Sequence, residues 1–178
     1  MIQVIGETER TLLREFTPDD AEQAYLLNSD PLVIQYTGDD AFADVDAARD
    51  FLLRYDHYQR YGFGRWAVIR KTDHAFLGWC GLKYSADVQE YDVGFRFFQK
   101  YWQHGYATET AAYCLQLGFT RWQMPEIVGR AMRDNLASIR VLEKIGMQWK
   151  SEHVEDGHTW VCYGITADTY TQKFGTHA

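Results

Sequence analysis

The 178 residues predict a mixed α/β or α+β fold in one domain spanning 1–178. Three observations carry that expectation. Strand-like and helix-like runs follow the order β-α-α-β-β-β-α-β-α-β-β. The strand–helix–strand passage over 91–132 favours a locally parallel pair, and short polar turns between apolar runs favour antiparallel hairpins elsewhere. A hydrophobic content of 46% over this length is enough for a sizeable core.

The elements can be justified in order. TLLREF (11–16) reads as a first strand. Thr17-Pro18-Asp19-Asp20 opens a helix: Thr17 caps, Pro18 suits the first helical position and Asp20 places negative charge in the first turn. That helix should run to about Leu27 and stop before Asn28-Ser29-Asp30-Pro31. Phe51, Leu52, Tyr55 and Tyr58 recur on one face of a second helix, about Val45 to Arg60, which Gly62-Phe63-Gly64 ends. Strands are expected at 65–70, 75–84 and 91–98, with a turn at Lys71-Thr72-Asp73. A helix over about 106–121, a strand at 127–132 and a helix over about 136–145 ending at Gly146 come next. Two last strands, 148–154 and 159–165, flank a hairpin turn at Glu155-Asp156-Gly157.

Composition narrows the function classes. A net charge of −7 lacks the basic footprint of sequence-independent nucleic-acid binding, so no nucleic-acid partner is expected. Cys80, Cys114 and Cys162 are odd in number and have no CxxC spacing, which reads as reduced core thiols of a cytoplasmic protein. The six histidines are never at metal-ligand spacing, so no metal is expected. The opening MIQVIGETER lacks the basic and apolar regions of a signal peptide, and no run reaches eighteen apolar residues, so no membrane association is expected.

The stretch YWQHGYATETAAYCLQLGF (101–119) raises a question. A helical pattern begins after Gln103-His104-Gly105 with no strong N-cap side chain, so its first N–H groups need other partners. Such an end is either solvated or an anion site, with Gly105 allowing close backbone approach and Ala107 staying small. A second stretch, NLASIRVLEKIGM (135–147), places Asn135 just before a helix and Ser138 one turn in, with Ile139, Leu142 and Ile145 as the buried stripe. Asn135 is a natural cap, and a helical serine is ordinarily solvated or back-bonded.

Together these stretches resemble the GNAT acetyltransferases, in particular the branch with ribosomal-protein N-terminal acetyltransferases. Trp102-Gln103-His104-Gly105-Tyr106-Ala107-Thr108-Glu109 is similar to that branch's W-G-x-G-Y-A-T-E. Asn135-x-x-Ser138 followed by Leu142-Glu143-Lys144-x-Gly146, the opening Glu9-Arg10-Thr11-Leu12-Leu13-Arg14, and Asp92-Val93-Gly94-Phe95 also match, so the likeness spans roughly residues 7 to 165. The resemblance implies a mixed sheet of about seven strands, splayed in its middle and flanked by about four helices, with acetyl-CoA in the cleft. It implies that the amides of Gln103, His104, Gly105, Tyr106, Ala107 and Thr108 hold the diphosphate. It further implies that the backbone around Phe97 and Phe98 pairs with the pantetheine arm and polarises the thioester carbonyl, and that Asn135 is a coenzyme contact. Gln103 stands where the branch has glycine, which either shifts one backbone approach or lets the amide side chain reach a phosphate. Leu142 stands where many GNAT enzymes carry a tyrosine acid.

The implied chemistry is acetyl transfer to a primary amine by direct attack in a ternary complex. A lysine-like amine costs roughly 4–5 kcal/mol to deprotonate at pH 7, whereas an α-amine costs about 1 kcal/mol. The leaving thiol resembles that of cysteine, so Ser138 need only donate a hydrogen bond to sulfur. Asp92 is the first candidate for the base, with Glu90, Glu152 or a water chain as alternatives. The loop near 28–46, holding Tyr36, Asp39, Asp40, Asp44 and Asp46, should face the acceptor, which is a protein N-terminus or a small molecule. The rival reading is a non-catalytic acyl-CoA sensor of the same fold. Trp122 and Trp160 are candidates for a homodimer face or for core.

Overall fold

The computed structural model describes residues 2–175. Eight strands form one sheet in the order β1-β2-β3-β4-β5-β6-β8-β7. They are β1 (Val4–Glu7), β2 (Thr11–Arg14), β3 (Arg65–Arg70), β4 (Phe76–Ser85), β5 (Glu90–Phe97), β6 (Glu126–Met132), β7 (Gln148–Glu155) and β8 (His158–Thr166). The helices are α1 (Ala21–Ser29), α2 (Pro31–Ile34), α3 (Val45–Arg54), α4 (His57–Tyr61), α5 (Tyr106–Thr120), α6 (Leu136–Lys144) and α7 (Ala167–Phe174). The expected mixed α/β architecture holds, with one more strand and three more helices than the sequence suggested.

Every neighbouring pair is antiparallel except β5 and β6, which α5 joins as a crossover. These two parallel strands pair at one position, Asp92 with Val128, and diverge beyond it. The splay therefore opens from a vertex at Asp92 toward the C-terminal ends of both strands. α5 fills one face of the sheet, where Cys114, Leu115 and Ala111 belong to one buried cluster with Trp66, Val68, Cys80, Leu82, Val93 and Phe97. On the opposite face, α1 packs on α3 and reaches β4, burying Leu27, Ala48 and Leu52.

Several departures have physical causes. The long helix expected over Val45–Arg60 is broken, because Tyr55 leaves helical geometry (ψ 98°) and α4 starts afresh at His57. The break lets two tyrosines grip the backbone of one residue: the Tyr55 hydroxyl accepts from the Arg65 N–H at 2.8 Å, and the Tyr58 hydroxyl donates to the Arg65 carbonyl. Pro18–Asp20 forms a 3₁₀ turn before α1, and the Asp20 carboxylate accepts from the Thr17 N–H at 2.8 Å while pairing with Arg14 at 2.7 Å. α2 is capped by Asp30, whose side chain accepts from the Leu32 N–H. β1 is a four-residue edge strand interrupted by Gly6, too short to announce itself. α7 begins directly after β8, capped by Thr166, and stacks Tyr170 on Phe119. The β7–β8 turn narrows to Asp156 and Gly157, both at positive φ, as a two-residue hairpin loop requires.

The cysteines are free and buried, as expected of core thiols, with the Cys80 and Cys114 sulfurs 3.6 Å apart. The two tryptophans weighed for a dimer face or for core are both partly buried. Trp122 stacks on Trp66 at 5.8 Å, and the ring of Trp160 lies against Gly38. Trp149 and Trp102 are the tryptophans left exposed.

Candidate active site

The chain enters α5 through two left-handed residues, Gln103 at φ 61° and Gly105 at φ 80°. Gly105 is the N-cap and offers no side chain to the helix. Among the described residues, none accepts from the N–H groups of Gln103 to Thr108; the first amide with a partner is that of Glu109, bonded to the Gly105 carbonyl at 3.0 Å. Unpaired donors and the positive end of a fifteen-residue helix favour an anion here. Gln103 occupies the left-handed region at a cost of about 1–2 kcal/mol, so the backbone follows the path glycine would take.

Glu109 would oppose an anion if it faced this turn, but it faces the β1–β2 hairpin. Its carboxylate accepts from the Thr8 hydroxyl at 2.6 Å, the Arg10 N–H at 2.9 Å and Arg10 Nε at 2.6 Å. Partial burial would raise its pKa, but these three donors outweigh that and hold it below the usual carboxylate value. Arg10 in turn donates to the His104 carbonyl at 2.9 Å and lies 4.4 Å above the Tyr106 ring. The sequence reading missed Arg10 as the residue that braces the turn. His104 is exposed, with Nδ1 at 2.7 Å from the Trp102 carbonyl oxygen.

The edge of β5 that borders the splay follows from hydrogen-bond parity. The Phe98 N–H donates to the Leu77 carbonyl at 3.0 Å, so even-numbered residues of β5 bond to β4 and odd-numbered ones point into the splay. The Phe98 carbonyl accepts from Tyr101, so both backbone groups of Phe98 are engaged. This corrects the expectation that Phe98 pairs with a ligand alongside Phe97. The N–H groups of Phe97 and Phe95 face the gap, while the Phe97 carbonyl accepts from the Trp102 indole at 2.8 Å. Sequence reasoning did not single out Phe95, whose N–H faces the gap as that of Phe97 does. Alternation along the strand was the available signal, but its phase is set by a bond the sequence does not show.

Across the splay, Asn135 caps α6, its Oδ1 accepting from the Ser138 N–H at 3.2 Å. That occupies the carbonyl end of the side chain and leaves its NH₂ for other partners. Ser29, Thr110 and Thr120 each donate back to the carbonyl four residues earlier, whereas the half-buried Ser138 hydroxyl, like that of Thr108, has no partner among the described residues. Leu142 is buried against Gly129 and carries no group that could donate a proton.

The face opposite α5 carries charge pairs. Asp92, at the vertex, has Oδ1 in an ion pair with Arg65, whose Nη1 also donates to the Gly81 carbonyl at 2.7 Å. Burial acts to lower the Arg65 pKa, but the Asp92 charge and hydrogen bond overcome it and raise it. Arg65 can cross the sheet only because Gly94 lies beneath it, where a Cβ would meet Nη2 at 2.7 Å. Glu90 pairs with Arg130 and Glu152 with Arg133. All three carboxylates weighed as bases are thus ion-paired. Beyond Asp92 on the same face, Arg96 donates to Asn28 Oδ1 at 2.6 Å and Asp39 Oδ2 at 2.7 Å. Arg96 and Arg65 flank Trp79, each 5.4 Å from its ring centre. Gly38 lies against Trp160 and Met132, so the loop after α2 spans from β8 across to β5.

Among the described residues, no group of three or more His, Cys, Asp or Glu is placed to hold a metal ion, and no helix is long and apolar enough to cross a membrane. Comparison with known proteins agrees with this geometry. YkkB, an uncharacterised protein of Bacillus subtilis, is 32% identical over 80% of this chain and 84% of its own. The crystal structure of a GNAT-family acetyltransferase from Bacillus anthracis superposes with a TM-score of 0.80 at 26% identity, covering 93% of this chain and 99% of that one. Two more distant structures share the fold alone, at 15% identity each. A ribosomal-protein-S5-alanine acetyltransferase from Vibrio fischeri has a TM-score of 0.77, covering 93% of this chain and 97% of its own. A spermidine N-acetyltransferase from Vibrio cholerae, in complex with CoA and spermine, has 0.78, with 90% and 97% covered. Neither branch is favoured by that likeness. The family model described as acetyltransferase (GNAT) domain matches residues 10–148, and the chain belongs to the GNAT acetyltransferase family.

Proposed function

We propose that this protein is an acetyl-CoA-dependent N-acetyltransferase that joins both substrates in one ternary complex, the acceptor amine attacking the thioester directly. The observation that carries this reading is the continuity of unused backbone donors from the α5 turn, through the open edge of β5, to the vertex at Asp92. The amides of Gln103 to Thr108 would take the diphosphate, with the Arg10 guanidinium beside them. The N–H groups of Phe97 and Phe95 would hold the pantetheine arm and polarise the thioester carbonyl, a contribution that grows as charge develops on oxygen. The free NH₂ of Asn135 would meet the arm from the β6 side. Acetyl-CoA supplies an activated acyl group on a thiol leaving group; everything else is positioning by this chain.

In this reading Ser138 donates its unpaired hydroxyl to the departing sulfur. Asp92 has Oδ1 tied to Arg65, so Oδ2 is the atom that orients the amine and receives its proton. With Glu90 and Glu152 paired to arginines, the site suits an amine that needs little deprotonation. An α-amine, at about 1 kcal/mol, fits better than a lysine-like amine at roughly 4–5 kcal/mol.

Thiol release from acetyl-CoA, measured against a panel of primary amines, tests the proposal. Amine-dependent release is expected, and Ser138→Ala should lower kcat about 10-fold while CoA affinity stays within about 2-fold. Binding of acetyl-CoA without release for any amine would leave only a sensor of acyl-CoA. Unchanged turnover in Ser138→Ala would remove that hydroxyl from the mechanism.

A further inference from the structure

We propose that Arg96 receives a carboxylate carried by the acceptor, so that the amine is part of an amino acid or peptide rather than a polyamine. The inference rests on reading the α1–α4 face as the acceptor side of an acetyltransferase. Arg96 stands four residues beyond Asp92 on β5, on the same face and toward the open end of the splay. Its side chain is 10% exposed, held by Trp79 beneath and by Asn28 at Nη1.

The unusual feature is a half-filled fork. An arginine presents Nε and Nη2 side by side, matched to the two oxygens of a carboxylate. Arg70 shows the complete version in this same chain: Nε donates to Asp73 Oδ1 at 2.8 Å and Nη2 to Oδ2 at 2.6 Å. At Arg96, Nη2 bonds one oxygen of Asp39 at 2.7 Å, while Nε is buried and has no partner among the described residues. A buried, cationic donor left unmatched is costly in a finished structure, and such groups ordinarily hold a water, an ion or a ligand.

Asp39 is the exchangeable member of the pair. Its side chain is 59% exposed, and it sits on the irregular loop that spans the splay from Trp160. An ion pair with one exposed partner contributes little, so a second carboxylate can replace it and engage both Nε and Nη2. The loop would then lift from β5, opening the acceptor face as the correct substrate arrives. The surrounding charges fit this choice, because Arg65, Arg130 and Arg133 are already matched by Asp92, Glu90 and Glu152. The carboxylates of the sheet itself are thus matched, while Asp40 and Asp46, without an ion pair among the described residues, belong to the segment before and at the start of α3.

The test compares ω-amino acids from glycine to 6-aminohexanoate, and di- and tripeptides, with their amides, alongside spermidine. The carboxylate form should exceed its amide in kcat/KM by at least about 10-fold at the best length. Arg96→Gln should erase that ratio, and Asp39→Asn should widen it about 3-fold by weakening the competitor. A readout apart from turnover is calorimetric titration of the N-acetyl derivatives into the protein–CoA complex. Binding should be detectable in the native protein and Asp39→Asn, and lost in Arg96→Gln and for the amide derivatives. Equal turnover of acids and amides, or a preference for spermidine, overturns the inference while the acetyltransferase reading survives. Arg96-dependent binding of N-acetyl acids without turnover of any amine does the reverse, keeping the carboxylate seat and sinking the enzyme.

Discussion

At the turn into α5 and along the open edge of β5, the unpaired groups are peptide N–H donors of Gln103 to Thr108 and of Phe95 and Phe97. On the face opposite α5 the polar groups are side chains in ion pairs: Arg65 with Asp92, Arg96 with Asp39, Arg130 with Glu90. The two walls of one splay thus use different chemistry. Backbone donors are the same whatever the side chains, so they suit a substrate common to a whole family. Side-chain pairs can change with single substitutions, so they suit the substrate that differs between relatives. The difference predicts that substitutions on the first wall alter coenzyme binding and substitutions on the second alter stability and acceptor use.

The largest effect should come from breaking the backbone wall at its tightest point. Gly105 has φ 80°, and the space a Cβ would enter is bordered by Arg10 Nη2 at 3.4 Å rather than filled by protein. Valine at this angle is strained by about 2 kcal/mol and would turn the leading amides away from a common anion. Gly105→Val should therefore weaken CoA binding by at least about 100-fold in a calorimetric titration. CoA affinity within a few-fold of the native value would show that the α5 turn is not the diphosphate site.

The second wall should break differently. Asp92→Asn leaves the Arg65 guanidinium short of its charge partner in a half-buried setting, and should cost about 2–3 kcal/mol in denaturant unfolding. CoA affinity should be nearly unchanged. Adding Arg65→Gln removes the orphaned charge and should restore at least about half of that stability. Acetyl transfer should remain depressed by roughly 10- to 100-fold in the double variant if Asp92 Oδ2 receives the amine proton. A rate that recovers with stability would make Asp92 a positioning partner of Arg65 and nothing more.

This division also explains what the sequence disclosed. The run from Trp102 to Glu109 is contiguous, so the uncapped start of α5 and the small Ala107 could be read directly, as could the capping Asn135 from its place just before α6. The order of nearly all strands was equally legible from alternating apolar runs. The second wall was not, because its pairs join residues 27 positions apart for Arg65 and Asp92 and 57 apart for Arg96 and Asp39. Neither partner carries a local signal of the other. The break between α3 and α4 was hidden for the same reason, since Tyr55 and Tyr58 trade helical continuity for bonds to the backbone of Arg65 on β3. The mistaken pairing role for Phe98 arose because neighbouring phenylalanines look alike until a ladder fixes which amides face outward.

The smallest expected effect sharpens the comparison at Gln103, where family resemblance and this chain part ways. If the first wall is purely backbone, the glutamine is a tolerated passenger: it holds φ 61° at some strain and leaves its N–H where glycine would. Gln103→Gly would relieve about 1 kcal/mol of strain and lose a similar amount to the greater freedom of glycine in the unfolded chain. Stability should then move by less than about 1 kcal/mol in either direction, and CoA affinity by less than about 2-fold. An affinity drop near 10-fold would mean that the exposed Gln103 amide reaches a phosphate itself. The α5 turn would then owe part of its grip to a side chain, and the contrast between the two walls would be one of degree.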